Sequence, residues 1–562
     1  MGCGLLFCIS GVAKRKQGNR MITEKKLTAA QLAVIMGILT LGSKLVGLIR
    51  TMLMANYYGT GYVKAAFTLS QDIPVMLFGA LFSAVATAYM PIYSRKYELE
   101  GEPAANRFTS QALNLLFLVS AVSSLVGIFG SDFLARLIGY KFSEETVALT
   151  GFYLKVSFSF LFFNSTATLL EALLQYKNVF LPQILIGYGQ TLCIIALTVI
   201  SAHTSHYLLV FGVLLGCAFR AGGILILAWR RGFRYLCGHG RRNHDRQGNG
   251  RRDQELQKDA VHSTTGQAAR EIIALSFPVF VGGSINQINA LVDKLLAAGL
   301  SPEAVSALDY GNVFMTMLST LTVMILVTIV YPRMTQARLT RDHDHFSAIA
   351  AQGMNVTMLI SVPFTLGAML YSDQVIQVVF ERGSFDGASV AMTSPALFWY
   401  SAGLTFVAAN ALLVKIYYAL GDVRTPVLCA AAGAVVNIGL DLLLVGPMEH
   451  GGLALASSCA AAVNSLLLWC FLRKNHREVR LRGTVEKAWA ITLFSIIAVG
   501  ASWMLYRFLD AHIWMPRMVL LALCVLAAVL IYWLLLCHSK IEEINLIRGL
   551  FDPLKKRARR RP

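Results

Sequence analysis

The run Met518-Val-Leu-Leu-Ala-Leu-Cys-Val-Leu-Ala-Ala-Val-Leu-Ile-Tyr-Trp-Leu-Leu-Leu-Cys537 contains no charged residue over twenty positions. At about 1.5 Å per residue, a helix of that length is about 30 Å long, which is the thickness of the hydrocarbon layer of a bilayer. A helix can cross that layer because it satisfies its own backbone hydrogen bonds. A soluble surface helix keeps a polar face, and this stretch has none. It therefore reads as a membrane span.

Working outward, a partner run lies at 486–506, with the quoted stretch falling in the run at 516–537. Similar runs occur at 28–57, 65–92, 109–134, 146–174, 180–202 and 206–229, then at 271–298, 304–332, 348–371, 389–418, 426–446 and 452–472. The expected fold is an all-α polytopic membrane protein of about 14 transmembrane helices. The composition agrees: of 562 residues, 56% are hydrophobic and only 14% charged, with a mean hydropathy of +0.58. That balance excludes a soluble multidomain enzyme. The short opening Met1-Gly-Cys-Gly lacks a basic region ahead of its apolar residues and suggests neither a signal peptide nor a lipoprotein signal.

The formal charge of +19 raises the question of nucleic acid. A phosphate-binding surface is a basic face on a soluble fold, whereas these Lys and Arg residues sit mainly between apolar runs. Cytoplasmic loops near span ends are enriched in them, and the pattern fits best with both termini cytoplasmic. The basic segments include Arg230, Arg231, Arg234, Arg241 and Arg242, and the tail around Lys555, Lys556 and Arg557. Ten cysteines are scattered without a Cys-x-x-Cys pair and read as small core hydrophobes.

Laying residues 27–229 over 269–480 reveals an internal repeat. Arg50 falls on Lys294, Glu171 on Lys415 and Pro182 on Pro426, all at a separation of 244. Copies with an even number of spans must run parallel. The expected organisation is a cytoplasmic extension at 1–26, an N-lobe of helices 1–6 at 27–229 and a basic cytoplasmic linker at 230–268. A C-lobe of helices 7–12 follows at 269–480, then helices 13–14 at 481–540 and a basic cytoplasmic tail at 541–562.

Ionisable groups within spans are costly unless paired or facing a polar cavity. Lys44 and Arg50 lie on the first span, Asp293-Lys294 on the seventh, Lys415 on the tenth and Arg220 on the sixth; against them stand Asp72, Glu171, Asp309 and Asp441. Lys415 and Arg220 either line a cavity or snorkel to the interface. Asp441 suits a bond to a neighbouring helix, and Asp293 suits neutralising and orienting Lys294. Arg50 and Lys294 occupy equivalent places in the two copies, and a cavity with basic equivalent positions suits a phosphate or pyrophosphate. There is no Walker loop, no His-Glu-x-x-His and no nucleophile elbow, so no enzyme activity, metal or other cofactor is expected.

Three segments carry a family resemblance: Ser43-Lys44-Leu-Val-Gly47-Leu-Ile-Arg50, Ile285-Asn-Gln-Ile-Asn289-Ala-Leu-Val-Asp293-Lys294 and Tyr418-Ala-Leu-Gly421-Asp422-Val-Arg-Thr425-Pro426. Together they resemble the MurJ/MviN lipid II flippases of the multidrug/oligosaccharidyl-lipid/polysaccharide exporter superfamily, over about residues 27–480. The resemblance implies fourteen helices, two six-helix lobes around a V-shaped basic cavity, and a last helix pair forming a groove for a polyprenyl tail. It also implies transport of lipid II from the inner to the outer leaflet of the cytoplasmic membrane by alternating access, with membrane lipids as the other partners and a coupling ion left open. Arg50 resembles the family's first-helix arginine and Lys44 its preceding basic residue, while Lys294 stands where an arginine is usual. Lys44, Arg50 and Lys294 are thus the expected pyrophosphate ligands, with Asp293, Glu171 and Lys415 in support. Thr51 replaces a frequent acid, and Phe78-Gly79 occupies the place of a basic pair. The rivals are a flippase for another polyprenyl-linked saccharide and a cation-coupled multidrug exporter, which would favour intramembrane carboxylates.

Overall fold

The computed structural model describes residues 29–235, 265–325, 330–339, 342–479, 481 and 483–539. The extension at 1–26, most of the linker and the tail at 541–562 lie outside the described residues. Helices dominate, and the β pairing found among the described residues is one bridge between Arg382 and Phe385. The first six α-helices are α1 (Ala29–Tyr58), α2 (Tyr62–Glu100), α3 (Glu102–Ile138), α4 (Glu144–Tyr176), α5 (Leu181–His203) and α6 (Leu209–Arg230). They are followed by α7 (Thr265–Ala298), α8 (Pro302–Ile325), α9 (Tyr331–Leu339), α10 (His343–Leu370), α11 (Ser372–Phe380), α12 (Gly387–Ala402) and α13 (Leu404–Leu420). The chain ends with α14 (Arg424–Asn475), α15 (Thr484–His512) and α16 (Arg517–His538).

Among the described residues, ten helices are long and apolar enough to cross a membrane, or up to twelve when each of two bent pairs counts as one span. One bent pair is α7 itself, which turns by 52° at residue 278, a proline, which has no backbone N–H to donate. The other is α12 with α13, bent by 40°, where a single helix was expected over 389–418. Of the run expected at 304–332, the described residues hold α8 as far as Ile325 and α9 from Tyr331, and 326–329 lie outside them.

α14 is 52 residues long with one non-helical residue, Glu449, at φ 50°. Unbroken, it would reach about 78 Å, far beyond a bilayer. It folds back on itself there: a Cβ on Gly433 would lie 3.3 Å from Cβ of Asn464, and one on Gly452 would lie 2.4 Å from the carbonyl oxygen of Leu444. The runs at 426–446 and 452–472 are the arms of this hairpin.

Local chemistry sets several helix ends. Ser143 accepts the Thr146 N–H at 3.3 Å ahead of Glu144 and Glu145, which complement the positive end of α4. Asp342 and Asp386 cap α10 and α12 by accepting the N–H groups of His345 and Ser389, each at 2.9 Å. Gly421, at φ +85°, closes α13 in the left-handed conformation.

The main core joins α2, α3, α4, α6 and α7 around fully buried Tyr89, Tyr93, Phe108, Tyr153 and Phe158. Large apolar groups face outward elsewhere, such as Phe129, Phe133, Leu443 and Trp489. Such a surface suits lipid as its solvent. Hydroxyls inside the spans return to the carbonyl four residues earlier, as Ser120 does to Leu116 and Thr198 to Ile194. α15 and α16 pack on each other and on α10, through Ser502 donating to the Cys524 carbonyl at 2.6 Å and Tyr532 donating to the Leu359 carbonyl at 3.0 Å.

Candidate functional site

α2 and α7 form the seam on which the candidate site is built. Asp72 meets Lys294, Ala80 meets Gly283 and Arg95 meets Glu271. Positions rise along one helix as they fall along the other, so the two pack antiparallel over most of their length. Small residues at the middle contact let the helix backbones approach closely.

The upper part of the seam holds most of the buried charge. Lys294 Nζ lies 2.7 Å from Asp72 Oδ2. Lys64 Nζ, on a residue 5% exposed, lies 2.5 Å from Asp309 Oδ2 and donates to Thr68 Oγ1 at 2.9 Å. The same ammonium stands 4.9 Å from the centre of the Tyr310 ring. Asp309 is also within electrostatic range of Lys294 and Arg50, so cations from α1, α2 and α7 converge on one carboxylate of α8. Asp293 is within the same range of Lys294, so the three cations stand among three acids, Asp72, Asp293 and Asp309.

Arg50 is half-buried and Lys44 exposed on α1, and among the described residues neither forms a salt bridge. α1 is held against α5, where the Tyr188 hydroxyl donates to the Leu39 carbonyl at 2.6 Å. Asp293 does not share the contact of Lys294 with Asp72. Its Oδ1 accepts from Asn437 Nδ2 at 2.9 Å, and the same amide donates to Asp441 Oδ2 at 2.7 Å. One amide thus joins two carboxyl groups, with Asp441 fully buried.

The remaining expected residues lie apart from this cluster. Glu171 accepts a two-pronged bond from Arg220, with Nε to Oε1 and Nη2 to Oε2 both at 2.8 Å, tying α4 to α6. Lys415 Nζ lies 5.7 Å from the centre of the Tyr418 ring on α13.

Beyond the charges, the end of α1 is sealed against the second half of the chain. Gly59 and Gly383 adopt φ +54° and +56°, and a Cβ on either would lie 2.3 Å from a backbone oxygen, of Ser384 and Asn56 respectively. Ser384 N–H donates to the Asn56 carbonyl at 2.8 Å, and the Tyr310 hydroxyl donates to the Gly59 carbonyl, also at 2.8 Å. The hydroxyls of Thr60 and Ser389 are 3.0 Å apart.

Lys64 is the residue that the sequence reading missed. It sits one position before the apolar run that begins at 65, and so counted as a loop residue. The repeat carried a signal: Lys64 and Asp309 are 245 apart, nearly the separation that relates Arg50 to Lys294.

Comparison with known proteins gives a consistent result. The sequence profile of the family described as "Lipid II flippase MurJ" matches residues 54–533. A protein of Treponema pallidum named "Probable lipid II flippase MurJ" is 27% identical over 499 residues, covering 85% of this chain and 89% of that protein. "Lipid II flippase MurJ" of Burkholderia cenocepacia is 25% identical, covering 82% and 86%. Among solved structures, a lipid II flippase MurJ in an inward closed conformation superimposes with a TM-score of 0.75 at 21% identity, over 92% of this chain and all of that one. An inward-facing multidrug transporter of the MATE family gives a TM-score of 0.65 at 13% identity, over 80% and 99%. At these identities the structural likenesses show a shared fold.

Proposed function

Since this chain belongs to the lipid II flippase MurJ family, we propose that it moves a polyprenyl-pyrophosphate-linked peptidoglycan precursor from the inner to the outer leaflet of the cytoplasmic membrane by alternating access. The observation that carries this reading is the clustering of Arg50, Lys64 and Lys294 around Asp72 and Asp309, where α1 and α2 meet α7 and α8. Without cargo, the two acids keep buried cations from facing the bilayer unpaired. A pyrophosphate offers stronger, charge-assisted bonds, with Arg50 suited to a two-pronged grip and Lys44 and Lys294 acting as point charges. Asp293 would hold the α7 segment that presents Lys294, with Glu171 and Lys415 supporting the fold of each half. The prenyl tail stays in lipid while the head crosses a layer that would otherwise impose a prohibitive desolvation cost. A potential positive outside favours outward movement of the anion by about 2.3 kcal/mol per charge per 100 mV.

The proposed architecture has fourteen spans, formed by two parallel six-helix lobes and a final pair. Counting each bent pair as one span, the arms of α14 separately and α8 as a further span gives that number. The antiparallel seam of α2 on α7 supports the parallel repeat: α1 and α7 both oppose α2, so they point the same way. With both termini cytoplasmic, the sealed end at Gly59, Thr60, Ser384 and Ser389 faces outward.

The test is replacement of Arg50, and separately Lys294, by Ala in a strain dependent on this gene, together with reconstitution into vesicles holding labelled lipid II. Loss of growth and of leaflet exchange is expected for each. Normal growth with both replacements would remove the site assignment, and exchange no faster than in protein-free vesicles would remove the transport reading. Normal lipid II turnover with loss of another surface saccharide would favour the neighbouring cargo class.

A further inference from the structure

A basic cavity that shares no residue with the cluster lies at the end of α14 and the start of α15. Its volume is about 510 Å³, and its lining includes Trp469, Arg473, Arg477, Leu481, Val485 and Glu486. The Arg473 guanidinium stands 5.2 Å from the centre of the Trp469 ring, which holds it over the indole face. Arg473 and Arg477 are exposed and form no salt bridge among the described residues. Two guanidiniums against the single acid Glu486 leave the lining positive. α15 begins at Thr484 without a side-chain cap, so its first N–H groups add positive potential at the cavity rim.

The surrounding segment identifies the side of the membrane. Between residues 473 and 487 stand Arg473, Lys474, Arg477, Arg480, Arg482 and Lys487 against Glu478 and Glu486. That excess marks a cytoplasmic loop. The other half of the lining is apolar, and it continues along α15 as Val485, Trp489 and Leu493, spaced four residues apart and 49%, 73% and 55% exposed. A free phosphate would gain nothing from this strip. An amphiphile with an anionic head matches both halves.

We propose that this cavity binds the phosphate-bearing headgroup of an anionic phospholipid from the cytoplasmic leaflet, with Arg473 and Arg477 on the phosphate and an acyl chain along Val485, Trp489 and Leu493. The proposal takes its sidedness from the charge of this loop, and nothing from the transport reading above. A lipid seated there would tie the end of α14 to α15.

The test uses the full chain, purified in detergent and stripped of lipid, then titrated with short-chain phosphatidylglycerol or phosphatidylcholine while retained lipid is counted by native mass spectrometry. One phosphatidylglycerol per chain is expected to be retained in preference to phosphatidylcholine, and to survive Arg50→Ala. Arg473→Gln with Arg477→Gln should weaken its retention about tenfold, the scale of one or two charge-assisted bonds. Val485→Glu, which puts an acid at the cavity mouth and leaves both arginines, should weaken it as well. Unchanged retention in both variants would overturn the proposal, as would equal retention of phosphatidylcholine. Displacement by millimolar inorganic phosphate would show a free-anion site instead and also overturn it. No cargo or translocation enters the measurement, so its outcome is separate from that of the flippase reading.

Discussion

Lys64 and Asp309 show how a charge becomes tolerable within apolar surroundings. The ammonium has a carboxylate at 2.5 Å, a hydroxyl at 2.9 Å and an aromatic face at 4.9 Å, so each of its donor directions meets electron density. Breaking a buried pair by removing one partner costs about 3–5 kcal/mol, because the survivor stays charged and poorly solvated. Lys64→Ala should therefore lower stability towards the lower end of that range, since Asp309 keeps some contact with solvent. Thermal unfolding in detergent measures this. Removing both partners, with Lys64→Ala and Asp309→Ala together, should recover part of the loss and cost less than the two single variants added. Recovery no better than the sum of the two single variants would show that the pair is not the source of the effect.

The link between α13 and α14 depends on a single turn. Asp422 accepts from Arg424 N–H and Thr425 N–H, both at 3.0 Å, and from the Thr425 hydroxyl at 2.6 Å. Burial pushes its carboxyl up, but these bonds outweigh it and hold the group below the usual carboxylate range. A depressed folded-state value means that the stabilisation is complete above the unfolded value of about 3.9 and is lost as pH falls through the folded one. Asp422→Ala should lower stability by about 1 kcal/mol at neutral pH. The gap between variant and parent should close below about pH 4, and unfolding midpoints measured from pH 3 to 7 follow it. The sequence showed this turn plainly, because Gly421, Asp422, Thr425 and Pro426 act on their own backbone neighbours. The break of α12 from α13 was less legible: a bend at Gly403 leaves the apolar pattern on both sides intact.

Across the whole molecule, the elements that meet along the antiparallel seam of α2 on α7 are closed at one end by the turn at Gly59 and the turn at Ser384. Alternating access requires those contacts to part. Cysteines placed at Thr60 and Ser389, whose hydroxyls are 3.0 Å apart, should form a disulfide that holds the end shut. Lipid II exchange in vesicles should stop under oxidising conditions and return with reductant, while each single cysteine variant stays active. Full exchange with the crosslink formed would mean that this end does not open during transport.

The sequence by itself determined the helical membrane fold, and it offered a repeat in which Arg50 and Lys294 fall on equivalent positions. Bilayer solvent acts on each segment separately, so apolar length and charge asymmetry are local properties that can be read one run at a time. The tertiary structure decided which acid meets which cation, Asp72 for Lys294 and Asp309 for Lys64, and it gave Asp293 the Asn437 amide shared with Asp441. Electrostatic strength falls with distance and rises with burial. Both are set only when residues more than two hundred positions apart in the chain, such as Lys64 and Asp309, are packed into contact.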